Sequence, residues 1–216
     1  MAAFPYALPS LRFGYGDLEP WIDAETLRLH HDVHHRGHVD ALNRALEDQP
    51  AWRGLTIEAL LRRLADIPEP LRTVVRNHGG GHANHQFLWK ILTPAAAAGP
   101  SGDLRGAIAR RWGSVEQFQE AFEAAALSHF GAGWTFLVVK PKRDFALEII
   151  SLPNQDSVLW LDEPSPGLIC FDLWEHAYYL KHRERLAGWL AAFWRVLDWE
   201  YVGQRLQGVI EGRAQL

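Results

Sequence analysis

The hydrophobic period of this chain changes once, and the change limits its fold more than any other feature. Before residue 93 the apolar residues recur at helical spacing; Ile57, Leu60, Leu61 and Leu64 stand at i, i+3, i+4 and i+7. Beyond residue 133 the pattern becomes β-branched and aromatic. Trp134–Val139 and Phe145–Leu152 flank Lys140–Asp144, which predicts a hairpin, and Leu168–Phe171 predicts a third strand. Thr93-Pro94-Ala95-Ala96-Ala97-Ala98-Gly99-Pro100-Ser101-Gly102 reads as the linker between the two regimes. An all-α first half therefore precedes an α+β second half with a small antiparallel sheet.

Local signals sharpen this outline. Asp23 is placed to cap a helix, with Glu25 in its first turn favouring the helix dipole. That helix carries Leu27, Val33, Leu42 and Leu46 and extends to about Glu47. A second helix starts near Thr56 and is stopped by Pro68 and Pro70. A third spans about Leu71 to Leu92 and is interrupted by Gly79-Gly80-Gly81. Three glycines are costly inside a helix, so a close approach to the backbone is expected there. Ser114-x-x-Gln117 ahead of Phe118 and Phe122 is a capping box. Helices return from about Glu175.

Composition excludes several function classes. A chain of 216 residues with 48% hydrophobic content can bury a core without cross-links. Cys170 is its single cysteine, which rules out a disulfide scaffold and a thiolate metal cage. The net charge of −4, without a basic stripe, argues against nucleic acid. No run of about 18 apolar residues predicts a membrane span. Met1-Ala2-Ala3-Phe4-Pro5 lacks the pattern of a secretory signal, so a cytoplasmic location is expected.

Histidine is the unusual residue. Of the 11 in the chain, five fall between positions 30 and 38, and three more are His78, His82 and His85. His30, His34 and His38 form one stripe at i, i+4, i+8, and His31 and His35 form a second about 100° round the helix. Asp172 and His176 sit four residues apart after the last predicted strand. Neutral imidazole is a common ligand for transition metals. One histidine from the first helix, one from the third and the Asp172/His176 pair make a sensible site. Mixed imidazole and carboxylate donors suit iron or manganese, with zinc possible.

Five segments carry a family resemblance: His30-His31-Asp32-Val33-His34-His35, Gly80-Gly81-His82-Ala83-Asn84-His85, Gly131-Ala132-Gly133-Trp134, Asn154-Gln155-Asp156-Ser157 and Asp172-Leu173-Trp174-Glu175-His176-Ala177-Tyr178-Tyr179-Leu180. In order and spacing they resemble the iron/manganese superoxide dismutases across about residues 4–207. The resemblance implies an N-terminal α-helical hairpin domain (1–93), a linker (94–102) and a C-terminal α/β domain (103–216) with a three-stranded antiparallel sheet. It implies His30, His85, Asp172 and His176 as ligands of one manganese or iron ion per subunit. Trp89, Trp134 and Trp174 match the aromatic wall. Gln155 matches the amide that hydrogen-bonds bound solvent, and Gly81 the small residue that leaves it room; this pair favours manganese, with use of either metal possible. Arg185 matches an arginine near the substrate funnel. Glu175 and Tyr179 match residues that reach His176 and His34 of the partner subunit, implying a homodimer or homotetramer with an isologous interface.

The expected reaction is disproportionation of superoxide to O₂ and H₂O₂. The main departure from the family is His38, which stands where a gateway tyrosine is usual. It is expected to take over that residue's proton relay and, with an ordinary pKa near 6.5, to make activity pH-dependent around neutrality. Val33, Glu184, Leu186 and Ala187 also depart from common family residues and weaken the positive rim. A non-catalytic member kept for metal storage or assembly is the alternative, but such a member would be expected to lose ligands. Hydrolysis by the same ligands lacks an H-E-x-x-H helix.

Overall fold

The computed structural model describes residues 4–96, 98–163 and 165–213. Residues 1–3 of the expected first domain, Ala97 of the expected linker, and Pro164 and residues 214–216 of the second domain lie outside the described residues.

The first histidine cluster lies on one continuous helical rod with a wide turn in its middle. Asp23 caps its start, accepting from the Thr26 N–H at 2.8 Å. The α-helix Ala24–Leu29 passes into a π-helical segment, His30–His35, and then into the α-helix Arg36–Leu46. The third helix repeats this plan: Leu71–Val74 is α-helical, Val75–Gly79 π-helical and Gly80–Lys90 α-helical. The triglycine thus lies at a junction of helix types and does not break the rod. Single π turns are rare and concentrate at functional sites. Between the two rods, Thr56 caps Ile57–Arg62 by accepting from the Ala59 N–H at 3.2 Å.

The second half holds the sheet, in the order β2-β1-β3, with β1 at Gly133–Lys140, β2 at Ala146–Pro153 and β3 at Gly167–Asp172. Both pairings are antiparallel. The α+β class expected from the sequence is the observed one. Every residue of β1 is buried, which explains its continuous apolar run in place of alternation. Asp144 and Phe145 turn through left-handed backbone, at φ 52° and 54°, so β2 starts one residue later than the apolar run suggests. Ser114 accepts from the Gln117 N–H at 3.1 Å and caps Val115–Ser128, which packs on β1 and β2. The helices Leu186–Trp194 and Trp199–Ile210 complete the fold.

The buried apolar residues form two clusters. The smaller belongs to the N-terminal helices, with Leu42, Leu46, Leu60 and Ile67 at its centre. The larger surrounds the sheet, with Phe118, Phe122, Phe136 and Phe171. Backbone bonds clasp the halves where the linker begins: Thr93 N–H to the Val196 carbonyl, and Asp198 N–H to the Ile91 carbonyl, both at 2.8 Å.

The close approach expected at the glycines is present. A Cβ at Gly80 would overlap the Gln155 carbonyl oxygen, and one at Gly81 would lie 2.5 Å from the His38 ring. Gly203, inside Trp199–Ile210, has open space around it. Gly80→Ala should therefore destabilise by about 1–3 kcal/mol, whereas Gly203→Ala should stabilise by about 0.5–1 kcal/mol. Urea unfolding of the two variants measures both signs.

Candidate metal centre

Four side chains from three distant parts of the chain converge between the two cores. His30 comes from the first π-helical turn and His85 from the helix Gly80–Lys90. Asp172 ends β3, and His176 follows on a short 3₁₀ turn. One donor atom from each lies within 4.8 Å of the other three. Asp172 Oδ2 is 3.1 Å from His30 Nε2, 3.1 Å from His176 Nε2 and 3.8 Å from His85 Nε2.

The chemistry of this donor set fits a transition-metal ion. The Nε2 atoms of His30 and His85 are buried and make no aligned hydrogen bond, an arrangement that costs free energy unless something else occupies the lone pairs. His85 Nδ1 lies 2.6 Å from the Gly81 carbonyl, which can only accept; Nδ1 therefore carries the hydrogen and leaves the Nε2 lone pair free. Burial lowers His30 to about 4 and pushes His85 well below its ordinary value, so both are neutral at pH 7. Burial alone would raise Asp172, but the imidazoles of His176 and His30 reverse this and hold it below the usual carboxylate range. Neutral imidazoles beside an ionised carboxylate are a hard-to-intermediate donor set suited to manganese or iron.

Neighbours fix these ligands in place. The Trp174 N–H donates to Asp172 Oδ1 at 2.9 Å, and the Trp189 indole donates to the Asp172 carbonyl at 3.0 Å. Register places Trp134 directly opposite Asp172 on β1. Three tryptophans wall the cluster. Trp134 stands edge-on to His85 at 5.1 Å, Trp89 edge-on to His30 at 4.8 Å, and Trp174 stacks on His176 at 5.8 Å. Gln155 is buried, and its Oε1 accepts from the Trp134 indole at 3.0 Å.

The histidine stripes separate as their spacing suggests. His34 stacks on His176 at 4.3 Å, and the ring centroid of His38 lies 5.4 Å from that of His85. The second stripe turns away and is buried: His31 Nε2 meets the Pro9 carbonyl at 2.8 Å, while His35 lies between Trp89 Nε1 at 2.9 Å and His82 Nδ1 at 2.8 Å.

Two expectations need correction. The space above Gly81 is filled by the His38 ring, and Gln155 instead approaches Gly80 through its backbone carbonyl. His38 does not have an ordinary pKa: burial first, then the nearby His78 and His176, lower it to about 4. Its titration therefore leaves the neutral range. Arg185 is exposed, and its Nε donates to the His182 carbonyl at 3.3 Å; it makes no hydrogen bond to a ligand residue. Glu175 and Tyr179 are exposed on this single chain.

Sequence reasoning missed the supports of this centre. Trp189 has no motif to mark it. Asn84 lies between His82 and His85, and a lone amide there carries no ligand or acid–base signal; its Nδ2 lies 3.3 Å from the Gln155 carbonyl and 3.0 Å from that of Asp156. Arg76 and Asp156 pair across 80 residues of sequence, beyond the reach of any local pattern.

The buried imidazoles make two pH predictions. His30, His38 and His82 each fall from 6.5 to about 4 on folding. Their depressed values mean that the unfolded chain binds more protons between those limits. The metal-free protein should be fully stable above about pH 6.5 and lose roughly 3 kcal/mol per group as pH falls toward 4. Urea midpoints across that range measure the slope. In the metal-loaded protein, kcat/KM should show no His38 inflection through neutrality, and His38→Tyr should leave the profile's shape there unchanged. An inflection near pH 6.5 that His38→Tyr removes would contradict the burial of this ring.

Comparison with known proteins agrees with the geometry. Residues 5–93 match the family model for the α-hairpin domain of iron/manganese superoxide dismutases, and residues 100–205 match that for the C-terminal domain. The chain is 46% identical over 201 residues to a protein of Pseudomonas aeruginosa named superoxide dismutase [Mn], covering 93% of this chain and 97% of the relative. A protein of Thermus thermophilus with the same name is 44% identical over 197 residues, covering 91% and 95% respectively. A protein of Methylomonas sp. (strain J), named superoxide dismutase [Mn/Fe], is 44% identical over 202 residues, covering 94% and 98%. With both domain models matched in order and three imidazoles meeting one aspartate at the seam between them, the chain belongs to the iron/manganese superoxide dismutase family.

Proposed function

We infer that the protein is a superoxide dismutase, converting two superoxide anions and two protons to O₂ and H₂O₂ at one manganese or iron ion per chain. The observation that carries this reading is the pair of buried, unpartnered Nε2 atoms of His30 and His85 aimed at the ionised Asp172. When bound, the ion supplies alternating one-electron oxidation and reduction between its 3+ and 2+ states. His30, His85, His176 and Asp172 hold it, and a single carboxylate limits the buried negative charge to one.

The surrounding residues control water and protons. Trp89, Trp134 and Trp174 exclude bulk solvent from the ligands. Because the Trp134 indole occupies Gln155 Oε1, the Gln155 NH₂ group is left to donate toward solvent in the site. His38, neutral through the physiological range, accepts at one ring nitrogen and donates at the other, and so relays a proton without becoming charged. The exposed Arg185 supplies positive potential for an anionic substrate. Val33 in place of a cation weakens that steering.

Manganese is the metal this reading favours, on the strength of Gln155 and of the relatives named superoxide dismutase [Mn]. It also includes a homodimer. Glu175, Tyr179 and Leu180 are exposed beside the ligand His176, and His34 and Val33 are exposed across the site entrance. Glu175 then meets His176 of the partner subunit, and Tyr179 meets His34 of the partner subunit. A homotetramer would pair two such dimers. Among the described residues no helix is long and apolar enough to cross a membrane. A reducing, cytoplasmic setting is supported by the lone buried Cys170.

The test is to load the metal-free protein separately with manganese and iron and to follow superoxide decay beside elemental analysis. The manganese form should accelerate decay, and Asp172→Asn should lose both metal and activity. Gln155→Ala should keep its metal but lose about 10–100-fold in rate. If neither loaded form exceeded the background decay, the dismutase reading would fail.

A further inference from the structure

The loop that carries Gln155 is gripped from the opposite half of the molecule. Arg76, on the second π-helical segment, holds Asp156 with a fork: Nε donates to Oδ1 at 2.7 Å and Nη2 to Oδ2 at 2.6 Å. Asp156 is buried, whereas the Arg76 side chain reaches it from the surface with 52% of its area exposed. The buried Asn84 amide lies beside the carbonyls of both Gln155 and Asp156. Gly80 lets the Gln155 carbonyl sit against the helix. On the other side the Trp174 indole donates to the Asn154 carbonyl at 3.0 Å, where the chain turns through φ 53°.

Most of these restraints are single hydrogen bonds, which tolerate rotation. The Arg76–Asp156 pair is bidentate and charge-assisted, so it fixes direction as well as distance. It acts on the residue next to Gln155. We propose that Arg76 and Asp156 form a positioning latch that sets the reach of the Gln155 amide and, through it, how readily the bound ion changes oxidation state. The proposal rests on the role given to Gln155 above. Neither residue touches the ligands by hydrogen bond, so both are positioning residues. The latch also explains why an ion pair is kept at the seam: the Gln155 loop belongs to one half, His30 and His85 belong to the other, and the pair holds them in register.

The test measures the midpoint potential of the protein loaded with manganese or iron, in Arg76→Gln, Arg76→Lys and Asp156→Asn. Arg76→Lys keeps the charge but loses the fork. All three variants should shift the potential in the direction that Gln155→Ala shifts it, and kcat/KM should fall by about 10-fold or more. In a Gln155→Ala background, Arg76→Gln should add no further shift. Three results would overturn the latch: a wild-type potential in Arg76→Lys, which would mean that Arg76 acts only by its field; an equal shift with and without Gln155; or loss of the metal in all three variants, which would make the pair merely structural. The potential is read on the bound ion whether or not superoxide is turned over. A wild-type protein without dismutase activity would therefore sink the functional reading and leave this measurement intact.

Discussion

One ionised carboxylate sealed in the protein interior sets the terms for the rest of the structure. Asp172 is wholly buried. A lone carboxylate there would be protonated or would unfold the site. It stays charged because imidazoles from both halves surround it and because backbone and indole N–H groups hold its other oxygen and its carbonyl. The two halves therefore cannot separate without exposing one charge and three rings at once. A positive ion in their midst completes the balance, which ties metal binding to the closure of the domain seam.

The aromatic residues serve packing and chemistry together. Trp134 lies in the fully buried central strand, pairs opposite Asp172, shields His85 and orients the Gln155 amide. Trp89 shields His30 while donating to His35, whose ring is stacked 5.3 Å from that of His85. A buried indole must donate to something. Each here donates to a group that in turn orients a site residue. Rigidity of the centre thus follows from ordinary satisfaction of buried donors.

The outline of the fold was readable because its signals are local. The caps at Asp23, Thr56 and Ser114, the apolar run of β1 and the glycines at 79–81 each announce themselves within a few residues. The four ligand candidates were readable because imidazole and carboxylate cluster at helical spacing and within segments that resemble a known family. What stayed hidden depends on distance through space. No spacing rule links Arg76 to Asp156, or Trp189 to Asp172. Nor does the sequence show that His38 sits deep enough to lose its proton, or that its ring takes the room above Gly81. The π-helical turns were also unreadable, since a histidine repeat of four suits either helix type.

Those wide turns have a consequence for how the chain can vary. His30–His35 and Val75–Gly79 each hold one residue more per turn than the α-helix around them. Removing the extra residue from either would let the backbone relax to α-helix with what lies beyond still facing the same way, because each i→i+5 bond would become i→i+4. Removing one from the regular α-helix that follows would instead swing everything beyond it by about 100°: a deletion ahead of His38 in Arg36–Leu46 would carry His38 off His85, and one ahead of His85 in Gly80–Lys90 would carry His85 away from Asp172. Length is accordingly least forgiving in the short α-helical stretches between each wide turn and its histidine, and a one-residue gap is best absorbed inside the wide turns themselves.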